Sequence, residues 1–295
     1  MQSLTAGELT FFRNNGYVVV HDAVSPAHCR GAAEALWAFL EMDPEEPETW
    51  YRHPALPCVS SVEMYHHQAF WENRQSPRVY GAFADIRGEE GLWVSIDRAS
   101  FKPPLHPQHL EYDSKGFIHW DDDPAATISQ PLQLQGVLCL TDTDEWMGGF
   151  QCVPGHHLRL DEWLAARPGP EGRKLEDLSA GSLARAAALS GYPAESVVRL
   201  SNSAGDLIIW DHRLPHGNGR NVSLRPRLAQ YITMTPAWEG DTSLRNSRVR
   251  MWRERTAPPG SPGDRRNWER RHCQPAILSD LGRRLLGRDR WLPVR

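Results

Sequence analysis

The spacing of apolar positions changes character along the chain. Near the start, AGELTFFRNN has helical periodicity, with Thr5 and Glu8 at capping-box spacing and Gly16 as a stop. The β-branched run Tyr17–Val20 follows as a predicted strand. Ser25-Pro26 opens a second helix, serine at the N-cap and proline in the first turn, which runs through CRGAAEALWAFLEM. Residues 43–58 are proline-rich and predict a loop.

From about residue 92 the period shortens. LWVSIDRASF, GFIHW, LQLQGVLCLTD, GGFQCVPG, SVVRLS, DLIIWD and RLAQYITM are short β-rich runs separated by Gly, Pro, Asp and Ser. Such runs predict a mainly β jelly roll with flanking helices, a double-stranded β-helix, over about 90–236. Neither GxGxxG nor GxxxxGK[ST] occurs, so the usual phosphate-cradling turns are missing. A long excursion, 158–195, interrupts the strands with helical stretches and Gly/Pro hinges, the composition of a lid or, alternatively, of a dimer contact. At the far end, Ala276–Leu286 predicts an amphipathic helix with Ile277, Leu278, Leu281, Leu285 and Leu286 on one face.

Composition narrows the class. At 295 residues, 40% apolar and 24% charged, the chain predicts one large globular domain, with helical elements in 1–60 and a basic helical segment in 241–295. No run of apolar residues is long enough to span a bilayer, and MQSLTAGELTFF lacks the layout of a secretory signal. The five cysteines (29, 58, 139, 152 and 273) form no CxxC, which predicts a reducing, cytoplasmic setting and no zinc ribbon. Charge is uneven: residues 241–295 carry +8 and the rest −12. A basic tail holding Trp252, Trp268 and Trp291 raises nucleic-acid binding as an alternative. The acidic complement elsewhere favours docking of that tail onto its own chain, with no nucleic acid, no membrane and an open oligomeric state. Only three basic residues are lysine (102, 115 and 174), a bias compatible with a GC-rich bacterial source and secondary metabolism.

Three residues carry the chemistry. His119-Trp120-Asp121 closes GFIHW, and on a strand i and i+2 project from one face. His216, beyond DLIIWD, can supply a third donor from a distant strand. Two imidazoles and a carboxylate on one face of an octahedron leave three positions open, an arrangement suited to non-haem Fe(II). His109-Leu110-Glu111 has the same HxE form but follows LHPQ, and is set aside. Asp122 points to the opposite face. Arg227 and Arg225 lie eleven and nine residues past His216, and either guanidinium could clamp the far carboxylate of an anionic cosubstrate. Arg98 and Lys102, in SIDRASFKPP, are candidates for an anionic substrate or cosubstrate. Gln133 and Gln135 share one face of LQLQG as candidate lining. Trp120 and Trp210 flank the metal segments as wall or core. His156 and His157 fit a surface turn.

The motifs together resemble the phytanoyl-CoA dioxygenase family of Fe(II)/2-oxoglutarate oxygenases. The matching stretches are FFRNNGYVVVHDAVSP, HWD at 119–121, GGFQCVPGHH, SAGDLIIWD and HGNGRNVSLRPRLAQY. The resemblance implies the double-stranded β-helix and His119, Asp121 and His216 as ligands of Fe(II). It implies Arg227, rather than Arg225, at the C5 carboxylate of 2-oxoglutarate, with Asn218 nearby. It also implies use of O2, release of succinate and CO2, and oxidation of a small-molecule C–H. Retention of Asp121 favours hydroxylation, desaturation or ring formation over halogenation, since related halogenases carry a small residue there. Another metal-dependent jelly-roll enzyme, a cupin-like hydrolase or isomerase, is the alternative, and it would not need Arg227.

Overall fold

The computed structural model describes residues 2–51, 61–113, 116, 118–165 and 196–291. Most of the 158–195 excursion lies outside the described residues.

The two N-terminal helices form for the local reasons visible in their sequence. In α1 (Ala6–Asn15) the Thr5 hydroxyl accepts the Glu8 N–H at 3.2 Å, while the Glu8 carboxylate takes the Thr5 N–H at 2.7 Å. Gly16, at φ 80°, ends the helix in the left-handed region. In α2 (Pro26–Leu40) Ser25 accepts the His28 N–H at 3.2 Å. Two more helices, α3 (Gln68–Arg74) and α4 (Pro77–Arg87), went unpredicted, although Ser76-Pro77 repeats the Ser-Pro start of α2. Their buried faces, Phe70 and Trp71 on α3 and Val79 and Phe83 on α4, join the core.

Eleven strands are described: β1 (Tyr17–Val20), β2 (Ser61–Val62), β3 (Leu92–Val94), β4 (Ala99–Lys102), β5 (Leu134–Cys139), β6 (Phe150–Cys152), β7 (Val198–Arg199), β8 (Leu207–Asp211), β9 (His216–Asn218), β10 (Arg227–Tyr231) and β11 (Met234–Pro236). Six form an antiparallel sheet in the order β1-β8-β5-β10-β4-β2, β7-β6-β9 form a second, and β11 and β3 pair as a third. The large sheet thus recruits β1 and β2 from outside the stretch 90–236. GFIHW is not a strand among the described residues. His119 instead makes one isolated bridge with His216, donating to its carbonyl at 2.8 Å and accepting from its N–H at 3.0 Å. Both pairing groups belong to residues whose side chains the site uses.

The basic C-terminal segment packs against the rest of the chain. Arg248, on the helix Thr242–Glu254, donates to the carbonyls of Val94 (2.5 Å), Leu286 (3.0 Å) and Leu285 (3.1 Å). Glu269 is buried and accepts the backbone N–H groups of Tyr65 and His66 at 2.8 and 2.5 Å. Trp268 meets Phe39 edge-on and Trp291 stacks on Tyr80. The last helix spans Asp280–Leu286, shorter than predicted. Ser279 accepts the Gly282 N–H and caps the helix there, leaving Ile277 79% exposed. No described helix is long and apolar enough to cross a membrane.

Candidate metal centre

His119, Asp121 and His216 converge. One ligand atom from each lies within 4.8 Å of the others, and no other such trio occurs among the described residues. The His119 Nε2 lies 2.9 Å from Asp121 Oδ1, and His216 Nε2 lies 3.6 Å from Asp121 Oδ2. The i, i+2 spacing brings His119 and Asp121 together despite the missing strand. His216 reaches them because β9 is tied to His119 through the backbone bridge.

His216 and Asp121 are set for ligation. The His216 Nδ1–H donates to the Leu214 carbonyl at 2.9 Å, which orients the ring and aims Nε2 at the trio. The His216 ring is held between Phe150, near-parallel at 6.1 Å, and Trp210 at 5.0 Å. Burial pushes the Asp121 carboxyl up, but hydrogen bonds and charge from His119 and His216 outweigh it and hold the group well below the usual carboxylate range. The Asp121 Oδ2 also accepts a hydrogen bond from Gln135 Nε2.

The trio forms one wall of a cavity of about 400 Å3. Its other walls include Asn218, Gln135, Trp210, Arg98, Asp97 and Tyr231. Just behind Asn218, Arg227 is 1% exposed, its Nη1 3.3 Å from Asn218 Oδ1 and 3.5 Å from Ser100 Oγ. No described carboxylate pairs with Arg227, and its buried Nε has no hydrogen-bond partner. Lys102 is also 1% exposed and donates to the Gly219 carbonyl at 3.0 Å. Burial, and then the neighbouring Arg227, push its amine down to about 7.

The remaining candidates separate cleanly. Arg225 is exposed and its guanidinium contacts Met147 Sδ at 3.7 Å, away from the cavity. The strand begins only at Arg227, so alternation does not carry Arg225 to the same face. Gln133 is exposed, precedes β5, and donates to Gln130 at 3.1 Å, whereas Gln135 reaches the cavity. Trp120 is fully buried, with its indole N–H on the Arg213 carbonyl at 2.8 Å and its ring against Trp163. It is core beneath the site. Arg98 lines the cavity but is paired with Glu63 at 3.4 Å. His109 and Glu111 pair with each other at 3.2 Å, with His109 stacked on Tyr51. His156 and His157 are buried, at 6% and 8% exposure, rather than in a surface turn. The turn folds onto α1, where His157 Nε2 meets the Arg13 carbonyl at 3.1 Å. Ser100, Asp97 and Tyr231 escaped sequence reasoning. Only the β10–β4 register, pairing Ala229 with Ser100, brings that hydroxyl beside Arg227.

The family model for phytanoyl-CoA dioxygenase (PhyH) matches residues 12–229. The chain belongs to this family. A Dictyostelium discoideum protein named for the same family is 24% identical over 77% of this chain and 74% of its own. Among solved structures, the non-heme alpha-ketoglutarate-dependent carbocyclase SnoK from nogalamycin biosynthesis superposes with a TM-score of 0.52 at 20% identity, covering 95% of this chain and 97% of its own. The epimerase SnoN, solved with Fe3+, alpha-ketoglutarate and nogalamycin RO, gives a TM-score of 0.52 at 17% identity over 92% and 94% of the two chains. At these identities the likeness concerns the fold, and the six- and three-stranded antiparallel sheets of this PhyH-family chain belong to its double-stranded β-helix.

Proposed function

We propose that the protein is an Fe(II)- and 2-oxoglutarate-dependent oxygenase that hydroxylates an unactivated C–H of a small molecule, releasing succinate and CO2. The observation that carries this reading is one cavity wall bearing His119, Asp121 and His216 within 4.8 Å, backed by a buried guanidinium with no carboxylate partner among the described residues. Two imidazoles and one carboxylate, with no thiolate, fit ferrous iron. Family membership and the Fe3+ and alpha-ketoglutarate bound by SnoN support the same assignment.

In this reading His119, Asp121 and His216 hold the metal from one side, which leaves the cavity side for cosubstrate and O2. Bound iron supplies the activation of O2, with 2-oxoglutarate as the electron donor. The chain itself binds and orients. Arg227 meets the C5 carboxylate of 2-oxoglutarate with a planar, forked donor set. Asn218 and Ser100 hold that fork, since each offers an oxygen to Nη1. The indole of Trp210 and the ring of Phe150 pack on His216 and keep water from its flank. Retention of Asp121 favours hydroxylation, because a carboxylate already fills the position that a halide would need.

Anaerobic titration with Fe(II) and 2-oxoglutarate tests the assignment. A visible charge-transfer band that needs both components is expected, as is succinate release under O2. A well-folded protein that gives no band would sink the proposal.

A further inference from the structure

Two side chains of the cavity wall act on the metal ligands rather than on a substrate. Gln135 and Trp210 are direct cross-strand partners of β5 and β8. The Trp210 indole N–H donates to Gln135 Oε1 at 2.9 Å, and the Gln135 Nε2 donates to Asp121 Oδ2. The same indole ring lies 5.0 Å from the ring of His216. One tryptophan, 4% exposed, therefore supports two of the three donors, His216 by its face and Asp121 through an amide.

We infer that Gln135 is a positioning residue that holds Asp121 as a one-oxygen ligand, and that Trp210 fixes Gln135 in the orientation required. This rests on the iron site proposed above. A free carboxylate can ligate through one oxygen or two. A second Asp121 oxygen on the metal would take one of the three positions that a bidentate 2-oxoglutarate and O2 need. An amide N–H on Oδ2 makes a charge-assisted hydrogen bond that competes with a metal for that oxygen, which lies 3.6 Å from His216 Nε2, while Oδ1 stays 2.9 Å from His119 Nε2. The task calls for an amide. The indole needs an acceptor and the carboxylate needs a donor, and the glutamine tip offers both in one plane. Glutamate could take the indole N–H but would set a second negative charge against Asp121. Leucine would serve neither partner.

The test compares Gln135→Leu, Gln135→Glu, Trp210→Phe and the double variant Gln135→Leu/Trp210→Phe with the parent protein. Anaerobic Fe(II) affinity and the charge-transfer band with 2-oxoglutarate are the readouts beside thermal stability. Second-sphere partners of metal ligands typically govern affinity by about 10–100-fold, so Gln135→Leu and Gln135→Glu are expected to weaken Fe(II) binding by about that factor and to shift the band. Trp210→Phe keeps an aromatic ring beside His216 and should weaken binding less. Gln135→Leu alone strands the buried indole N–H and costs stability, which the double variant restores by removing both polar partners. Affinity should stay low in that double variant. If affinity returns together with stability, the pair is merely structural and the inference is overturned. Unchanged affinity and an unchanged band in a folded Gln135→Leu also overturn it. A parent protein that binds no Fe(II) fails the proposed function instead, so the two failures are distinguishable.

Discussion

Arg227 and Lys102 stand directly opposite each other on β10 and β4, and each is 1% exposed. A guanidinium and an amine buried side by side are costly to fold, and that crowding helps to hold the Lys102 amine down. In the proposed enzyme the cost is offset when a dianionic cosubstrate arrives. Arg227→Gln is therefore expected to raise the 2-oxoglutarate Kd at least about tenfold, the effect of losing one charge-assisted interaction. It should leave Fe(II) affinity near the parent value and raise the melting temperature of the ligand-free protein. Calorimetric titration and a thermal scan on the same samples check all three, and a lower melting temperature with unchanged Kd would count against this role.

Asp121→Ala removes the only carboxylate of the trio. Substrate-dependent succinate formation is expected to fall more than about 100-fold, with loss of the Fe(II)-dependent band. The fold should survive, because Asp121 is half-exposed at the cavity wall. Far-ultraviolet circular dichroism beside the succinate assay separates loss of the site from loss of the fold.

Acid stability should be governed partly by His66. Its ring is fully buried, Nε2 donates to the Thr256 carbonyl at 2.8 Å, and the buried Nδ1 has no partner. Burial drives its pKa down to about 3 from 6.5. Between those values the unfolded chain binds a proton that the native state refuses, so stability falls as pH drops through 6.5 toward 3. This one group contributes a slope of up to about 1.4 kcal/mol per pH unit. His66→Gln keeps a donor for Thr256 without titrating, so it should flatten the acid limb in denaturant melts. An unaltered limb would remove His66 from the account.

Arg248→Met tests the docking of the basic tail. The guanidinium satisfies three backbone carbonyls and lies over the Trp93 ring at 5.2 Å. Stranding those acceptors is expected to cost about 3 kcal/mol, measured by urea denaturation. Arg248→Lys should recover little, since an ammonium cannot fork across three carbonyls. Full stability in Arg248→Met would mean that the tail docks by apolar contact alone.

The sequence made the jelly roll legible because strands between turn residues repeat at short spacing, and it made the trio legible because HxD needs only local geometry. The partners that tune the trio were hidden. Gln135 reaches Asp121 only through a fourteen-residue turn-back, and Trp210 meets Gln135 only through the β5–β8 register. Spacing also misled where burial is tertiary. His157 is hidden by α1, an element far away in the chain, and Ala276–Ser279 stays non-helical because Ser279 is the better cap. Arg225 and Arg227 could not be separated until the start of β10 was known.

The scarcity of lysine acquires an architectural meaning from the braces in this fold. Arg74 ties the Tyr65 carbonyl to that of Asp97, Arg87 ties Met234 to Leu132, and Arg248 ties β3 to the final helix. Each fork joins backbone carbonyls from two separate segments of the chain. A chain of equal charge written in lysine would keep its isoelectric point and lose its joints.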